Sequence, residues 1–320
     1  MVSCVPTAEY DMVARTHFIT GAAGLVGQAV ANKLVARGDR VIAIDRNSAL
    51  LPFGNVIACD LKDIHRLYAL AEDADLDSVI HCGAYSGPMV ARDNPYDLVA
   101  VNVMGTANVL ELARISRVRR FINCSSVSVY GSTAKGPVRE DVHLAPSTVY
   151  GATKLAAEAL VTAFAREHGV DAASFRLSWV YGPNRSTPCL LGRMLRDALS
   201  GKATELPWGS DFYRQYIHAD DAADGLIAGL DTKELSTRVF NLTGANYQTL
   251  GETAALVRQI LPQAQISLGD GPDPGDDAQH EFDISAATEE LGYRPSVSLE
   301  QGIRRFVASI NRENGNSEGV

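Results

Sequence analysis

A doubly wound α/β fold, a parallel sheet with a smaller C-terminal substrate lobe, is what this sequence predicts, and three observations predict it. From Thr16 onward, short β-branched runs alternate with helix-period patterns. A glycine string, Gly21-Ala22-Ala23-Gly24-Leu25-Val26-Gly27, stands between the first run and the first helical pattern. An aspartate, Asp45, closes the second run.

Residues 17–20 form the first strand. The segment 25–36 follows as a helix because Val26, Val30 and Leu34 recur at i, i+4 and i+8, one stripe able to pack on a sheet. The run 41–45 completes a βαβ unit. Residues 55–59, 78–82, 119–124 and 172–178 read as further buried strands, which makes a six-stranded doubly wound sheet. Residues 96–116 and 147–168 read as long helices, the second with Leu155, Ala159, Leu160, Ala163 and Phe164 on one apolar face. After Gly182-Pro183 the alternation weakens, and Gly- and Pro-rich insertions such as 269–277 suggest a lid or substrate lobe. The expected organisation is a flexible leader over 1–15 and a dinucleotide-binding (Rossmann) domain over 16–180 that also receives 215–245. A substrate lobe from 181–214 and 246–310 follows, then a polar flexible tail over 311–320.

The 320 residues, 46% hydrophobic, suffice to bury one large core or two smaller ones sharing a hinge. A formal net charge of −9 argues against a nucleic-acid partner, since a phosphate-binding surface needs an excess of Lys and Arg. The five cysteines, Cys4, Cys59, Cys82, Cys124 and Cys189, form no CxxC pair, and no His lies at metal-ligand spacing. Reduced thiols in a cytoplasm, and no metal, are expected. No apolar run approaches the ~20 residues of a spanning helix. The first fifteen residues carry acids and Pro6 instead of a basic segment followed by an apolar one, so neither a membrane nor secretion is expected.

The glycine string follows a strand and opens a helix, so backbone N–H groups and the helix dipole converge where a pyrophosphate can sit. Asp45 lies 24 positions after Gly21, where a carboxylate accepts hydrogen bonds from ribose hydroxyls and repels a 2′-phosphate, which favours NAD over NADP. Arg46 pulls the other way, being able to meet a phosphate. Asp60 can either hold an adenine amino group or cap a helix.

Tyr150 and Lys154 stand one helical turn apart and point the same way. A phenol is a poor base at neutral pH, and making it useful requires stabilising the phenolate by roughly 4 kcal/mol, much of which a neighbouring cation can supply. The hydroxyl of Ser126, just after the run 119–124, can orient a substrate oxygen.

These motifs form an ordered set. Asp60-Leu61 and His81-Cys82-Gly83-Ala84 follow Asp45, then Asn102 in Val-Asn-Val-Met-Gly-Thr and Ser125-Ser126-Val127-Ser128-Val129-Tyr130-Gly131. Next come Tyr150-Gly151-Ala152-Thr153-Lys154, Val180-Tyr181-Gly182-Pro183, Arg214 before Tyr216-Ile217-His218, and Asp220-Asp221. Asp283-Ile284, Leu291-Gly292-Tyr293 and Pro295 close the set. Over residues 17–309 the sequence resembles the extended short-chain dehydrogenase/reductase family, in its NAD-dependent epimerase/dehydratase group typified by UDP-glucose 4-epimerase. The resemblance implies that Tyr150 is the acid/base, that Lys154 binds the nicotinamide ribose and assists the phenol, and that Ser126 is the hydroxyl partner. It implies an NAD site lined by Gly21, Gly24, Leu25, Val26, Gly27, Asp45, Arg46, Asp60, Leu61, Cys82, Gly83, Ala84, Asn102, Tyr150 and Lys154, with Leu177 and Ser178 facing the nicotinamide. It also implies a homodimer in which helices 96–116 and 147–168 build a four-helix bundle with a second subunit.

The sequence departs from that pattern in places. Dehydratases carry Asp-Glu where Val127-Ser128 stand here, so dehydration is not expected. Nucleotide-sugar epimerases commonly have Asn in place of Trp179, which speaks against a nucleotide-linked substrate. Arg214 matches the arginine that binds diphosphate in the family, yet it would equally grip a sugar carboxylate or sit in a surface salt bridge. Ser86-Gly87-Pro88 suggests a small-residue wall with one hydroxyl for a polyol. The expected partner is a small carbohydrate, bound through Ser86, Ser126, Trp179 and Arg214. Epimerase-type chemistry on a sugar or nucleotide-sugar alcohol is favoured, with oxidation of the alcohol, rotation of the ketone and return of the hydride to the other face. The alternatives are a net NAD-dependent dehydrogenase of a sugar, sugar acid or related alcohol and, more remotely, a non-catalytic NAD sensor.

Overall fold

The computed structural model describes residues 14–317. In its first half the chain runs β1 (Thr16–Thr20), α1 (Leu25–Ala36), β2 (Arg40–Asp45), β3 (Ala49–Leu51), β4 (Gly54–Ala58), α2 (Ile64–Ala71) and β5 (Ser78–His81). Then α3 (Pro95–Val99) passes through a π-helical turn, Ala100–Met104, into α4 (Gly105–Ile115), followed by β6 (Arg120–Ser126), α5 (Val149–His168) and β7 (Ala172–Leu177). The remainder is β8 (Trp179–Tyr181), α6 (Leu190–Leu199), β9 (Ala203–Leu206), β10 (Tyr213–His218), α7 (Ala219–Asp231), β11 (Val239–Leu242), β12 (Tyr247–Thr249), α8 (Leu250–Ile260), β13 (Gln265–Leu268), α9 (Ser285–Leu291) and α10 (Leu299–Ser317).

The main sheet has the order β11-β7-β6-β5-β1-β2-β4-β3, parallel except for β3 at one edge. β1 is central because its side chains are apolar on both faces: Phe18 joins the core under α2, α4 and α5, and Ile19 the core under α1 and α7. In register, Thr20 lies beside Ile44 of β2 and His81 of β5, and Ser126 of β6 beside Leu177 of β7. The carboxyl ends of five strands therefore open onto one edge, and the chain departs from β1 in opposite directions to β2 and β5. That is the switch point at which doubly wound sheets bind ligands. A second core, with Met194, Leu195, Tyr216, Leu250, Val257, Ile303 and Phe306, fills the smaller lobe around the three-stranded sheet β12-β10-β8 and the pair β13-β9.

The sheet has eight strands where six were expected. The additions are short: β3 is a three-residue antiparallel edge and β11 a four-residue strand. Within 215–245, α7 packs on α1 and β11 pairs with β7, while β10 belongs to the small sheet. The expected tail differs too, because α10 continues through 311 to Ser317, with no proline to stop a helix already anchored by Ile303, Phe306 and Ile310. The expected leader lies, apart from Ala14 and Arg15, outside the described residues, as does Cys4. The composite helix Pro95–Ile115 reaches the length and mean hydropathy (1.3) of a spanning segment, contrary to the sequence reading. Its apolar residues Leu98, Val109, Leu110, Leu112 and Ala113 are buried in the protein core.

Candidate active site

A cavity of about 480 Å³ opens along the carboxyl edge of the sheet. It is lined by Gly21, Gly24, Leu25, Val26, Gly27, Asp45, Arg46, Asp60, Leu61, Cys82, Gly83, Ala84, Ser86, Ser126, Tyr150, Lys154, Leu177 and Ser178. Three of the residues singled out from sequence do not line it: Asn102, Trp179 and Arg214.

The glycine turn is a cradle that side chains would fill. Gly21 has φ +65°, and a Cβ there would lie 2.6 Å from the Gly83 backbone. A Cβ on Gly27 would lie 2.2 Å from the Gly21 carbonyl oxygen. The turn thus packs backbone on backbone between β1, β5 and α1, and leaves the first helical N–H groups directed at the cavity. Asp45 braces it, its carboxylate accepting from Ala23 N at 3.0 Å and Arg46 N at 2.7 Å. A dinucleotide pyrophosphate and ribose fit this donor set and this carboxylate.

Behind the cradle, Thr20 Oγ1 accepts from Gly83 N at 3.0 Å and meets His81 Nδ1 at 2.7 Å, while His81 Nε2 meets Thr106 Oγ1 at 3.0 Å. Burial, helped by the charge on Lys154, pushes His81 down to about 3, so it stays neutral and serves as a rigid strut. Asp60 does not cap α2; Asp63 does, accepting from Arg66 N, because Asp63 immediately precedes the first helical residue. Asp60 instead accepts from Lys62 N at 2.9 Å at the cavity rim.

Asn102 sits in the π-helical turn, and its carboxamide takes both backbone groups of Tyr85: Oδ1 accepts from Tyr85 N at 2.8 Å and Nδ2 donates to Tyr85 O at 3.1 Å. Nδ2 also donates to Thr153 Oγ1, which donates to Tyr150 O at 2.7 Å. Asn102 thereby ties the end of β5 to the helix bearing Tyr150, acting on the cavity from behind its wall.

Tyr150 is the second residue of α5, whose N-cap Thr148 accepts from Gly151 N. A Cβ on Gly151 would lie 2.5 Å from Ser128 O, so the first turn of α5 rests on the short 3-10 turn that follows Ser126. Lys154, 7% exposed, donates from Nζ to Cys124 O at 2.8 Å, which pins its ammonium at the end of β6. Ser126 Oγ accepts from Ser128 N at 3.1 Å. The helix is locked further along by a buried cluster that sequence reading missed. Glu158 accepts from Arg176 Nε at 3.0 Å and Nη2 at 2.8 Å and from Ser125 Oγ, and Arg176 Nη1 donates to Tyr130 Oη and Glu140 O.

Trp179 and Arg214 belong to the small sheet, where the guanidinium stacks 4.1 Å from the indole centroid. Arg214 also pairs with Asp273 and Asp276, so it is a buried, ion-paired cation and not a surface one. Among residues that line the cavity unforeseen are Tyr85, whose hydroxyl donates to Asp97 and accepts from Arg46, and the loop residues Arg185, Ser186 and Thr187.

The model of the NAD dependent epimerase/dehydratase family matches residues 17–243. UDP-glucuronate 4-epimerase 2 of Arabidopsis thaliana is 30% identical over 321 aligned positions, spanning 90% of this chain and 74% of that protein. The UDP-glucuronic acid 4-epimerase of Bacillus cereus, solved with UDP-glucuronic acid and NAD, is 25% identical, covers 93% of this chain and 99% of its own, and superposes with a TM-score of 0.84. A UDP-glucose 4-epimerase of Thermotoga maritima, 24% identical, covering 93% of this chain and 99% of its own, shares the fold at a TM-score of 0.87.

Proposed function

Because this chain belongs to the NAD-dependent epimerase/dehydratase family, we propose that it inverts a secondary alcohol of a carbohydrate by oxidation and re-reduction, with Tyr150 as the acid/base. It is an NAD-dependent enzyme of the extended short-chain dehydrogenase/reductase type.

The reading rests on one juxtaposition. Tyr150, Lys154 and Ser126 line the same cavity as the glycine turn and Asp45, and the Lys154 ammonium is pinned by Cys124 O. The backbone N–H groups near Gly24–Gly27 and the Asp45 carboxylate would hold NAD, which supplies reversible acceptance of a hydride when bound. Tyr150 Oη takes the hydroxyl proton as the C–H bond breaks and returns it when the ketone is reduced from its other face. Lys154 would hold the nicotinamide ribose, and Ser126 Oγ orients the reacting oxygen. Leu177 and Ser178 line the same cavity and would face the nicotinamide. Inversion rather than net oxidation is supported by relatives named as 4-epimerases. Dehydration is disfavoured because Val127 is buried against Tyr130, Val138 and Phe282, leaving no carboxylate pair after Ser126.

The test is Tyr150→Phe in the full-length protein. Turnover of an epimerisable carbohydrate should fall by roughly 10²–10⁴-fold while NAD remains bound. An unchanged rate would remove Tyr150 from the chemistry and with it this reading.

The assembly we propose is a homodimer through a four-helix bundle of Pro95–Ile115 and α5. Tyr96, Val99 and Met104 on the first, and Val149 on the second, are exposed apolar side chains at 84%, 42%, 57% and 48%. Met104→Asp should shift the mass measured by light scattering from dimer to monomer; a wild-type monomer at micromolar concentration argues against the bundle. A cytoplasmic location is supported by the free thiols of Cys59, Cys82, Cys124 and Cys189.

A further inference from the structure

Arg214, the second residue of β10, is 6% exposed. One face of its guanidinium is covered by Trp179, with Phe212 at 5.7 Å. Nη2 pairs with Asp273 and, at 3.3 Å, with Asp276, carboxylates only 12% and 10% exposed. Nε is buried without a hydrogen-bond partner. One cation therefore faces two carboxylates, and Asp277 adds further negative charge beside Asp276.

Both carboxylates ride on the loop 269–280, which joins the small lobe to the catalytic edge. Gly269 N donates to Leu206 O at one end, and at the other Gln279 Nε2 donates to Val127 O at 2.8 Å and Gly131 O at 3.1 Å, just beyond Ser126. Trp179 is the neighbour of Ser178, which lines the cavity. None of Trp179, Arg214, Asp273 and Asp276 lines the cavity itself; the cluster lies next to Ser178 and Val180, which do, and so borders it from the lobe side, where the part of a substrate remote from the reacting carbon would extend.

We infer that Asp273 and Asp276 set the substrate class: by holding Arg214 they close the site to nucleoside diphosphates, so the carbohydrate turned over carries no nucleotide. This rests on reading the Ser126–Tyr150–Lys154 cleft as the catalytic centre. A diphosphate offers only acceptor oxygens and negative charge. To reach Arg214 it must displace two buried carboxylates, and each would then be stranded beside another anion. The Trp179 indole cannot relieve this, since it has one N–H to donate and covers the remaining guanidinium face. Sugar hydroxyls suit the same place, because they donate and the carboxylates accept.

The experiment titrates the NAD-loaded full chain calorimetrically with UDP and with UDP-glucuronate. The wild type should bind both more weakly than about 1 mM, and Asp273→Asn/Asp276→Asn should bind UDP at least about ten-fold tighter with unchanged NAD affinity. Micromolar binding by the wild type overturns the inference. So does a folded double variant that gains nothing. If the double variant does not fold, Asp273→Asn alone, which leaves Asp276 to balance the guanidinium, carries the same comparison. Binding heat is read without turnover, whereas Tyr150→Phe is read by turnover alone, so the failure of one reading is distinct from that of the other.

Discussion

Arg176→Met isolates the cluster that holds the helix bearing Tyr150. Glu158 lies two turns beyond Tyr150 on α5, and both Glu158 (5% exposed) and Arg176 (3%) are buried. Methionine keeps the apolar stem but removes the donors at 3.0 and 2.8 Å, leaving Glu158 with Ser125 Oγ alone. Stranding one member of a buried pair costs about 3–5 kcal/mol. With an unfolding entropy of about 2.1 cal/mol/K per residue, the melting temperature should fall by about 4–7 °C. In thermal melts at pH 8, adding Glu158→Gln should recover more than half of the loss, because the amide carries no charge to strand. A loss under about 1 kcal/mol, or no recovery with Glu158→Gln, would refute the assignment of stability to this pair.

Gly21→Ala should lower NAD affinity at least about ten-fold and destabilise the fold, since the methyl group lies 2.6 Å from Gly83 backbone at a positive φ; near-wild-type binding by fluorescence titration would count against the cradle. Asp276 is pushed up to about 6, first by burial and then by Asp273, against the pull of Arg214, from an unfolded value near 3.8. A raised carboxylate favours folding in acid and costs stability above about pH 6, so Asp276→Asn should gain about 2–3 kcal/mol on wild type between pH 4 and pH 8; a flat difference in melting temperature would contradict this.

Much of the sheet was legible because its short β-branched runs alternate with helix-period patterns. β1, β2, β5, β6 and β7 fall within a residue or two of the expected limits, and α1 matches at both ends. β3 and β11 were not legible, being three and four residues long. The cradle and the Tyr150–Lys154 turn could be read because their spacing is local. Partners far apart in sequence could not. Arg214 and Asp273 are 59 positions apart, and nothing in Asp273-Pro274-Gly275-Asp276 beyond its turn chemistry announces a buried counter-ion. Glu158 and Arg176 look like surface charges until α5 is laid on β7. Asn102 was legible as a cavity residue yet acts through Tyr85 and Thr153, a distinction that only three-dimensional packing makes.

The wide turn at Ala100–Met104 has a bearing on how this helix tolerates change. Each residue advances an α-helix by about 100°, so one surplus residue re-phases everything downstream. Upstream, Tyr96 and Val99 look outward; downstream, Val109, Leu110 and Ala113 look inward. A one-residue deletion between them would restore regular winding and swing the inward set toward water. Substitutions along this rod are matters of fit, but its residue count is fixed.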